Sequence, residues 1–309
     1  LTALDGDTIR DFSPEDSLVI SGAHFLTSSL SFTNGVLGID TSGDGVPEAR
    51  VRFDGSFDGR FFATPAASDT AVVFVASTDL ADLVVDSVTV PLTAVSGQST
   101  TISYTVRNDG QHAAIGEWDD SIFLSADNVW DLGDVLVGRA HHIGDVASGA
   151  SYTESFTASM PGVLPGDYHF IVRANSSETL RELDNTNNRA TAIGVTTLSA
   201  QALPLNTTIS GTLEEKGVHY FKLDAPLGAT IRVSLDGTGS ESYNELYVAY
   251  NRMPTRSSYD HASRSTAGPD QAIVIPSAAA GSYYVMAYGN DYSNSQDSYS
   301  IAAESLPFS

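Results

Sequence analysis

The sequence predicts an all-β chain of sandwich domains. Three observations carry that expectation: apolar and polar residues alternate with period two over most apolar segments, Asx-Gly dipeptides punctuate those segments, and no stretch reads as a helix of three turns. In chain order, Leu83–Val90 (Leu-Val-Val-Asp-Ser-Val-Thr-Val) and Thr100–Val106 are strand patterns, followed by His219–Leu223, Thr230–Leu235 and Ser282–Tyr288. The turns fall at Asn34-Gly35, Asp44-Gly45, Asp54-Gly55, Asp58-Gly59, Asp109-Gly110 and Asp236-Gly237, where the positive φ of a tight hairpin is readily supplied. One short helical turn is expected between Ser177 and Asn187.

The 309 residues suffice for two or three domains, each with its own core. Two boundaries stand out, near Ala76–Leu80 after the strand Ala71–Val75, and near Thr196–Ala202 after Thr191–Val195. Both are short and lack Gly/Ser tracts, so docked or stiffly linked domains are expected, at 1–78, 79–197 and 198–309.

Charge narrows the function. Lys and Arg number 15 against 38 Asp and Glu, a net −23, and only Lys216 and Lys222 are lysines. A phosphate backbone is repelled by such a surface, and an anionic membrane is disfavoured for the same reason. Cations are attracted, calcium above all. With no cysteine, thiol catalysis, zinc-thiolate sites and iron–sulfur ligation are excluded. No apolar run is long enough to span a bilayer. The start, Leu1-Thr-Ala-Leu-Asp, lacks the parts of a signal peptide and reads as an excerpt of a longer polypeptide.

Two clusters have the composition of a cation site. Asp40, Ser42, Asp44 and Glu48 place oxygen side chains around a turn that Gly45 sharpens, and calcium takes 6–8 oxygens at 2.3–2.6 Å. The alternative is a plain Asp/Gly-rich turn. The second cluster is Asp120 with Asp127, Asp131 and Asp134, three of them in one loop, where mutual repulsion calls for a cation or for solvation. Strand alternation puts Asp120, Ile122 and Leu124 on one side. Trp130, in the same loop, is a candidate for stacking on a sugar or anchoring a partner, or else it folds back on its own sandwich.

Tyrosine is concentrated late: ten of thirteen lie at or after Tyr220. Outward rings on a sheet make a stacking platform, with core packing as the competing explanation. Tyr247, Tyr288, Asn290, Asp291 and Tyr292 are the candidate ligand-binding residues there. The run Glu182-Leu-Asp184-Asn-Thr-Asn187-Asn188 is expected to cap and tie the last strand of its domain. Catalysis finds little support: there is no Gly-x-Ser-x-Gly, His-Glu-x-x-His or Walker pattern, His141 and His142 point apart if extended, and spacing selects no glycosidase carboxylate pair.

Three resemblances follow from particular residues. The segment from Asp82-Leu-Val-Val85, through Val95-Ser-Gly-Gln98, Tyr104–Gly110 and Pro165–Val172, to Glu182–Asn188 resembles the CARDB family (cell-adhesion-related domain found in bacteria). That resemblance implies a non-catalytic, extracellular immunoglobulin-like sandwich, here with an enlarged region from Glu117 to His142. The segment carrying Ile209–Leu213, His219–Leu223, Leu246-Tyr-Val248, Gly281–Val285 and Ser298–Ile301 resembles the bacterial pre-peptidase C-terminal (PPC) domain, which implies a jelly-roll-like sandwich trailing a secreted enzyme. Where that family has an Asp-rich pair, this chain has Asn244 and Glu245. Asp5–Ile20 and Ile39–Val51 are similar to the segment that ends RTX β-rolls in serralysin-type proteins, although no Gly-Gly-x-Gly-x-Asp repeat is present.

The expected function is a non-enzymatic, calcium-stabilised adhesion or substrate-targeting region of a larger secreted or surface bacterial protein, with an extracellular polysaccharide or matrix protein as partner. No nucleic acid and no membrane insertion are expected. The alternatives are a structural spacer or assembly unit meeting neighbouring subunits in a filament or surface layer, and an accessory C-terminal tail of a secreted protease or other hydrolase.

Overall fold

A computed structural model describes residues 3–239, 243–291 and 296–307, and the fold is all-β. Its three hydrophobic cores lie in residues 20–74, 81–198 and 203–303.

The first core lies between two small sheets. The strands are β1 (Thr8–Ile9), β2 (Ser17–Ile20), β3 (Leu30–Thr33), β4 (Val36–Ile39), β5 (Ala49–Phe53), β6 (Gly59–Ala66) and β7 (Asp69–Ala76). They form the orders β1-β5-β4-β3 and β2-β7-β6. Asn34 (φ 52°) and Gly35 (φ 75°) close the β3–β4 hairpin, as the Asn-Gly signal predicts. Phenylalanines fill the interior: Phe53 lies 5.0 Å from Phe61 and 4.9 Å from Phe12, mostly edge-on or tilted, as ring quadrupoles prefer.

The middle sandwich comprises β8 (Leu83–Thr89), β9 (Thr93–Val95), β10 (Ser99–Asn108), β11 (Glu117–Ser125), β12 (Val135–Ile143), β13 (Ser151–Ser159), β14 (Gly166–Arg173), β15 (Arg189–Thr191) and β16 (Thr196–Ser199). A three-stranded sheet, β13-β10-β8, faces a six-stranded one, β12-β11-β14-β16-β9, with β15 added beside β14. Alternation in β11 and β14 sends Trp118, Ile122, Leu124, Phe170 and Val172 inward. The enlarged region is the β11–β12 hairpin. Residues 177–187 form turns and bends rather than the expected helical turn, because Glu182 is drawn into a bridge with Ala81.

The last sandwich comprises β17 (Gln201–Ala202), β18 (Thr207–Glu214), β19 (Val218–Ala225), β20 (Thr230–Gly237), β21 (Tyr243–Tyr250), β22 (His261–Ser263), β23 (Gln271–Ile275), β24 (Gly281–Asp291) and β25 (Gln296–Leu306). The sheets are β17-β19-β24-β21-β22 and β18-β25-β20-β23. Phe221, Leu223, Val233, Leu235, Val248, Val285 and Ile301 form the centre of its core.

Neighbouring cores are joined by specific contacts. Arg60 donates to the Glu182 carbonyl (3.1 Å) and to Asn185 Oδ1 (2.5 Å), Arg181 donates to Thr64 Oγ1 (2.9 Å), and both guanidinium groups flank the Phe62 ring. At the second junction Gly97 (φ 82°) lies so close to β19 that a Cβ would stand 2.6 Å from the Val218 carbonyl oxygen.

Candidate functional site

The loop between β4 and β5 is built by its own acids. Ile39 and Ala49 are buried at its two ends, so nine residues must return the chain across a short gap. Gly43 (φ 77°) and Gly45 (φ 82°) allow the sharp bends. Asp40 accepts from the amides of Gly43 (2.7 Å) and Gly45 (2.8 Å), Asp44 from that of Val46 (2.8 Å), and Glu48 from the Thr41 amide (2.6 Å) and hydroxyl (3.1 Å). The Ser42 hydroxyl donates to Asp40 (3.2 Å). The nearby Ser42 hydroxyl and the hydrogen bonds from Thr41 hold the Glu48 carboxyl down at about 2. Asp40, Asp44 and Glu48 bring carboxylate oxygens within 4.8 Å of one another, the one such set of three acidic or imidazole ligands among the described residues. Three carboxylates and a hydroxyl in one turn suit a hard cation, with carbonyls and water left to complete the shell.

The second acidic cluster is not gathered in this way. Asp127 accepts from the Val129 amide (2.7 Å), Asp131 from that of Gly133 (2.6 Å), and Asp134 from that of Asp131 (3.0 Å). Each carboxylate is spent on shaping its own turn. Asp120 is removed from the loop altogether: fully buried, it accepts from the Tyr104 hydroxyl (2.9 Å), the Tyr152 hydroxyl (2.7 Å) and the Asn175 amide (3.0 Å). Burial pushes its carboxyl up. Alternation assigns Asp120 to the side of Ile122 and Leu124, and that side is the core. Trp130 folds back over the outer face of the six-stranded sheet, with Arg173 at 4.2 Å and Arg189 at 6.0 Å from its ring centre and Phe123 against its edge.

The expected line of outward tyrosines is also absent among the described residues. Tyr247 does lie opposite Leu246 and Val248, yet it is only 1% exposed. Residues 251–264 cover that face: Tyr259 lies 5.2 Å from the Tyr247 ring, and the Tyr247 hydroxyl donates to Glu245 (2.5 Å). Arg256 forks onto both Glu245 oxygens (2.7 and 2.8 Å) and stacks at 4.4 Å on Tyr288, which is half-buried. Asn290 is half-buried in β24, Asp291 ends that strand, and Tyr292 lies outside the described residues.

Sequence reasoning missed the role of Glu182. The Glu182–Asn188 run ties the first strand of its sandwich as well as the last. Glu182, fully buried, accepts from the Leu83 amide at the start of β8 (2.7 Å) and from the side chains of Asn175 (2.5 Å) and Asn188 (2.7 Å). Burial pushes its carboxyl up to about 7. The signal was the carboxylate's position among Asn residues, which supply neutral donors. A polar cleft between the second and third cores, lined by Gln98, Ser159, Glu214 and His219, encloses about 200 Å³, less than the ~300–1,000 Å³ of a usual ligand pocket.

Residues 80–192 match the CARDB family, and residues 217–289 match the bacterial pre-peptidase C-terminal domain. Neither match reaches the first core. No curated protein matches the chain. Among solved structures it is similar to the CARDB domain of a Pyrococcus furiosus protein, solved in complex with di-metal ions (15% identity, 39% of this chain and 90% of that one, TM-score 0.30). It is also similar to the pre-peptidase C-terminal domain of a collagenase from Bacillus anthracis (18% identity, 34% and 94%, TM-score 0.27). A third is the secreted serine protease VesC from Vibrio cholerae (14% identity, 89% and 64%, TM-score 0.28). No described helix is long and apolar enough to cross a membrane. CARDB and pre-peptidase C-terminal domains are non-catalytic families, consistent with an accessory region of an extracellular or periplasmic protein. The chain thus carries two modules in tandem, a CARDB domain at 80–192 and a bacterial pre-peptidase C-terminal domain at 217–289.

Proposed function

We propose that this chain is a non-catalytic, calcium-stabilised targeting region of a larger secreted bacterial protein, holding it to an extracellular polysaccharide or matrix protein. The observation that carries the calcium part is the convergence of Asp40, Asp44 and Glu48 within 4.8 Å. A cation there would neutralise three carboxylates and fix the β4–β5 turn; its removal would restore their repulsion and loosen the first module. The resemblance of residues 5–20 and 39–51 to the end of an RTX β-roll supports the same reading. Asp127, Asp131 and Asp134 remain a weaker second cation candidate, since they are not gathered within reach of one ion as Asp40, Asp44 and Glu48 are.

The test is thermal unfolding in millimolar calcium and again in excess chelator. A ligand held only by the native state at ~100-fold saturation adds about 2.7 kcal/mol. The expected result is an upward shift in Tm with calcium that Asp40→Asn and Asp44→Asn abolish. An unchanged Tm sinks the calcium reading, and blank glycan and matrix-protein arrays sink the targeting reading. The pre-peptidase C-terminal match favours a second reading, an accessory tail of a secreted protease or other hydrolase.

A further inference from the structure

Three of the thirteen arginines fall in one row. Across the six-stranded sheet, Arg139 of β12 is opposite Ser121 of β11, Ser121 is opposite Arg173 of β14, and Arg173 is opposite Arg189 of β15. Residues directly opposite share a face, and the alternation that buries Ile122 and Val172 puts this row on the outer face. Three strand spacings of ~4.8 Å make the row about 14 Å long.

Acids outnumber cations 38 to 15, yet among the described residues Arg139, Arg173 and Arg189 make neither an ion pair nor a side-chain hydrogen bond. Farther along the same face of β11, Asp119 and Glu117 are already engaged, both holding His141, at 2.8 and 3.4 Å. Arg173 and Arg189 stand side by side, like charge against like, with only Trp130 stacked upon them. Burial and the Arg189 charge push Arg173 down, partly offset by Glu178. Between Arg139 and Arg173 the buried Ser121 is hydrogen-bonded to Ser176 (2.6 Å), so it fills the row without offering a hydroxyl of its own. Three cations in one row without a paired carboxylate, Glu178 acting on Arg173 only through its charge, leave room for negative charge from outside.

We propose that this row binds an anionic polysaccharide through carboxylate or sulfate groups on its sugars, each guanidinium fork taking one such group. Planar forks match two-oxygen anions bidentately, and Trp130 supplies an apolar wall beside them. Nucleic acid fits less well, since one charge per about 1.7 Å would press against a chain of net −23. A polyuronate or sulfated glycan spaces its charges more widely, and at physiological salt the distant acids are screened beyond about 8 Å. The inference rests on the polysaccharide-targeting reading and names the class of polysaccharide.

The test uses the whole chain on immobilised polygalacturonate, chondroitin sulfate and neutral dextran. Retention on the two anionic polymers and not on dextran is expected. Arg139→Gln, at an exposed position, should weaken binding about tenfold, and Arg139→Gln with Arg189→Gln about a hundredfold. Each lost arginine should also lower the dependence of log K on log salt by about one. Arg189→Lys, which keeps the charge and loses the fork, should recover only part of the affinity. Tryptophan emission confirms that each variant is folded. Neutral-glycan or matrix-protein binding that ignores these substitutions overturns the arginine row and leaves targeting standing. Equal competition by polyglutamate overturns the saccharide assignment, and no binding to any polymer overturns both.

Discussion

Asp120 and Glu182 lie in the core of the middle sandwich and are held only by neutral donors: two phenols, two Asn amides and two backbone N–H groups. Glu245 of the last sandwich is almost as deeply placed, but it lies under the forked guanidinium of Arg256. The consequence is electrostatic. Burial outweighs the donors in the first case and pushes both carboxyls up; in the second, burial acts the same way but Arg256, with the Tyr247 hydroxyl and Arg264, more than offsets it and holds Glu245 below its ordinary value. The difference teaches that a buried acid can be a neutral strut or one half of an ion pair, and that the two respond to pH with opposite sign.

The largest effect is expected at Asp120. Replacing it with Ala leaves two buried hydroxyls and the Asn175 amide without their acceptor, at a cost of about 3 kcal/mol. Both tryptophans of the chain, Trp118 and Trp130, belong to the middle sandwich, so denaturation followed by tryptophan emission reads this module alone. If Asp120→Ala cost no more than a surface change, the neutral strut would be ruled out.

Nearly as large is the pH dependence set by Glu182. Its folded value, about 7, exceeds the unfolded 4.5, so the folded state holds the proton more tightly. The stability this provides is complete below about 4.5 and is lost as pH rises through about 7; the gap, at about 1.4 kcal/mol per pH unit, amounts to about 3 kcal/mol. Asn188 Oδ1 is buried without a partner, and turning that amide would let it accept the new Glu182 proton. Glu182→Gln should flatten the slope between pH 4.5 and 7 in the same emission assay. In the last sandwich the sign reverses. Glu245 contributes stability above its unfolded value that is lost as pH falls through its lower folded value, a difference to be read by hydrogen exchange of peptides spanning β21.

A smaller effect, about 1–2 kcal/mol, is expected from Gly97→Ala. The new methyl meets the Val218 carbonyl oxygen at 2.6 Å and the backbone must keep φ 82°. Two melting transitions in calorimetry where the wild type shows one would mean that the two sandwiches normally unfold together. The smallest is Arg256→Ala, about 1 kcal/mol, because that side chain is half exposed and solvent screens its pairing with Glu245; hydrogen exchange near Glu245 checks it.

Period-two alternation made the strands legible, and Asn34-Gly35 marked a hairpin correctly. It also gave the right facing for Asp120 and Tyr247, but facing alone does not say what lies opposite. Asp120 belongs to the core because Tyr104 and Tyr152 meet it from β10 and β13, two strands of the opposite sheet. Tyr247 is hidden because residues 251–264 fold over a face that alternation leaves open. The Arg139–Arg173–Arg189 row depends on strand order, which no local pattern encodes. The Asp40–Glu48 loop was visible from the start because its residues are neighbours in the chain and need no tertiary pairing to meet.

One residue, Ala200, separates β16, the strand that completes the middle sandwich, from β17, the strand that opens the last. β16 is held on one side by β14, antiparallel, and on the other by β9, parallel. A pull on the last module therefore travels along taut backbone into a strand gripped from both flanks, whose hydrogen bonds share the load in shear rather than peeling one after another. The joint works as a tie rod, and a protein anchored through one module would feel the drag of flowing medium on the other without slack between them.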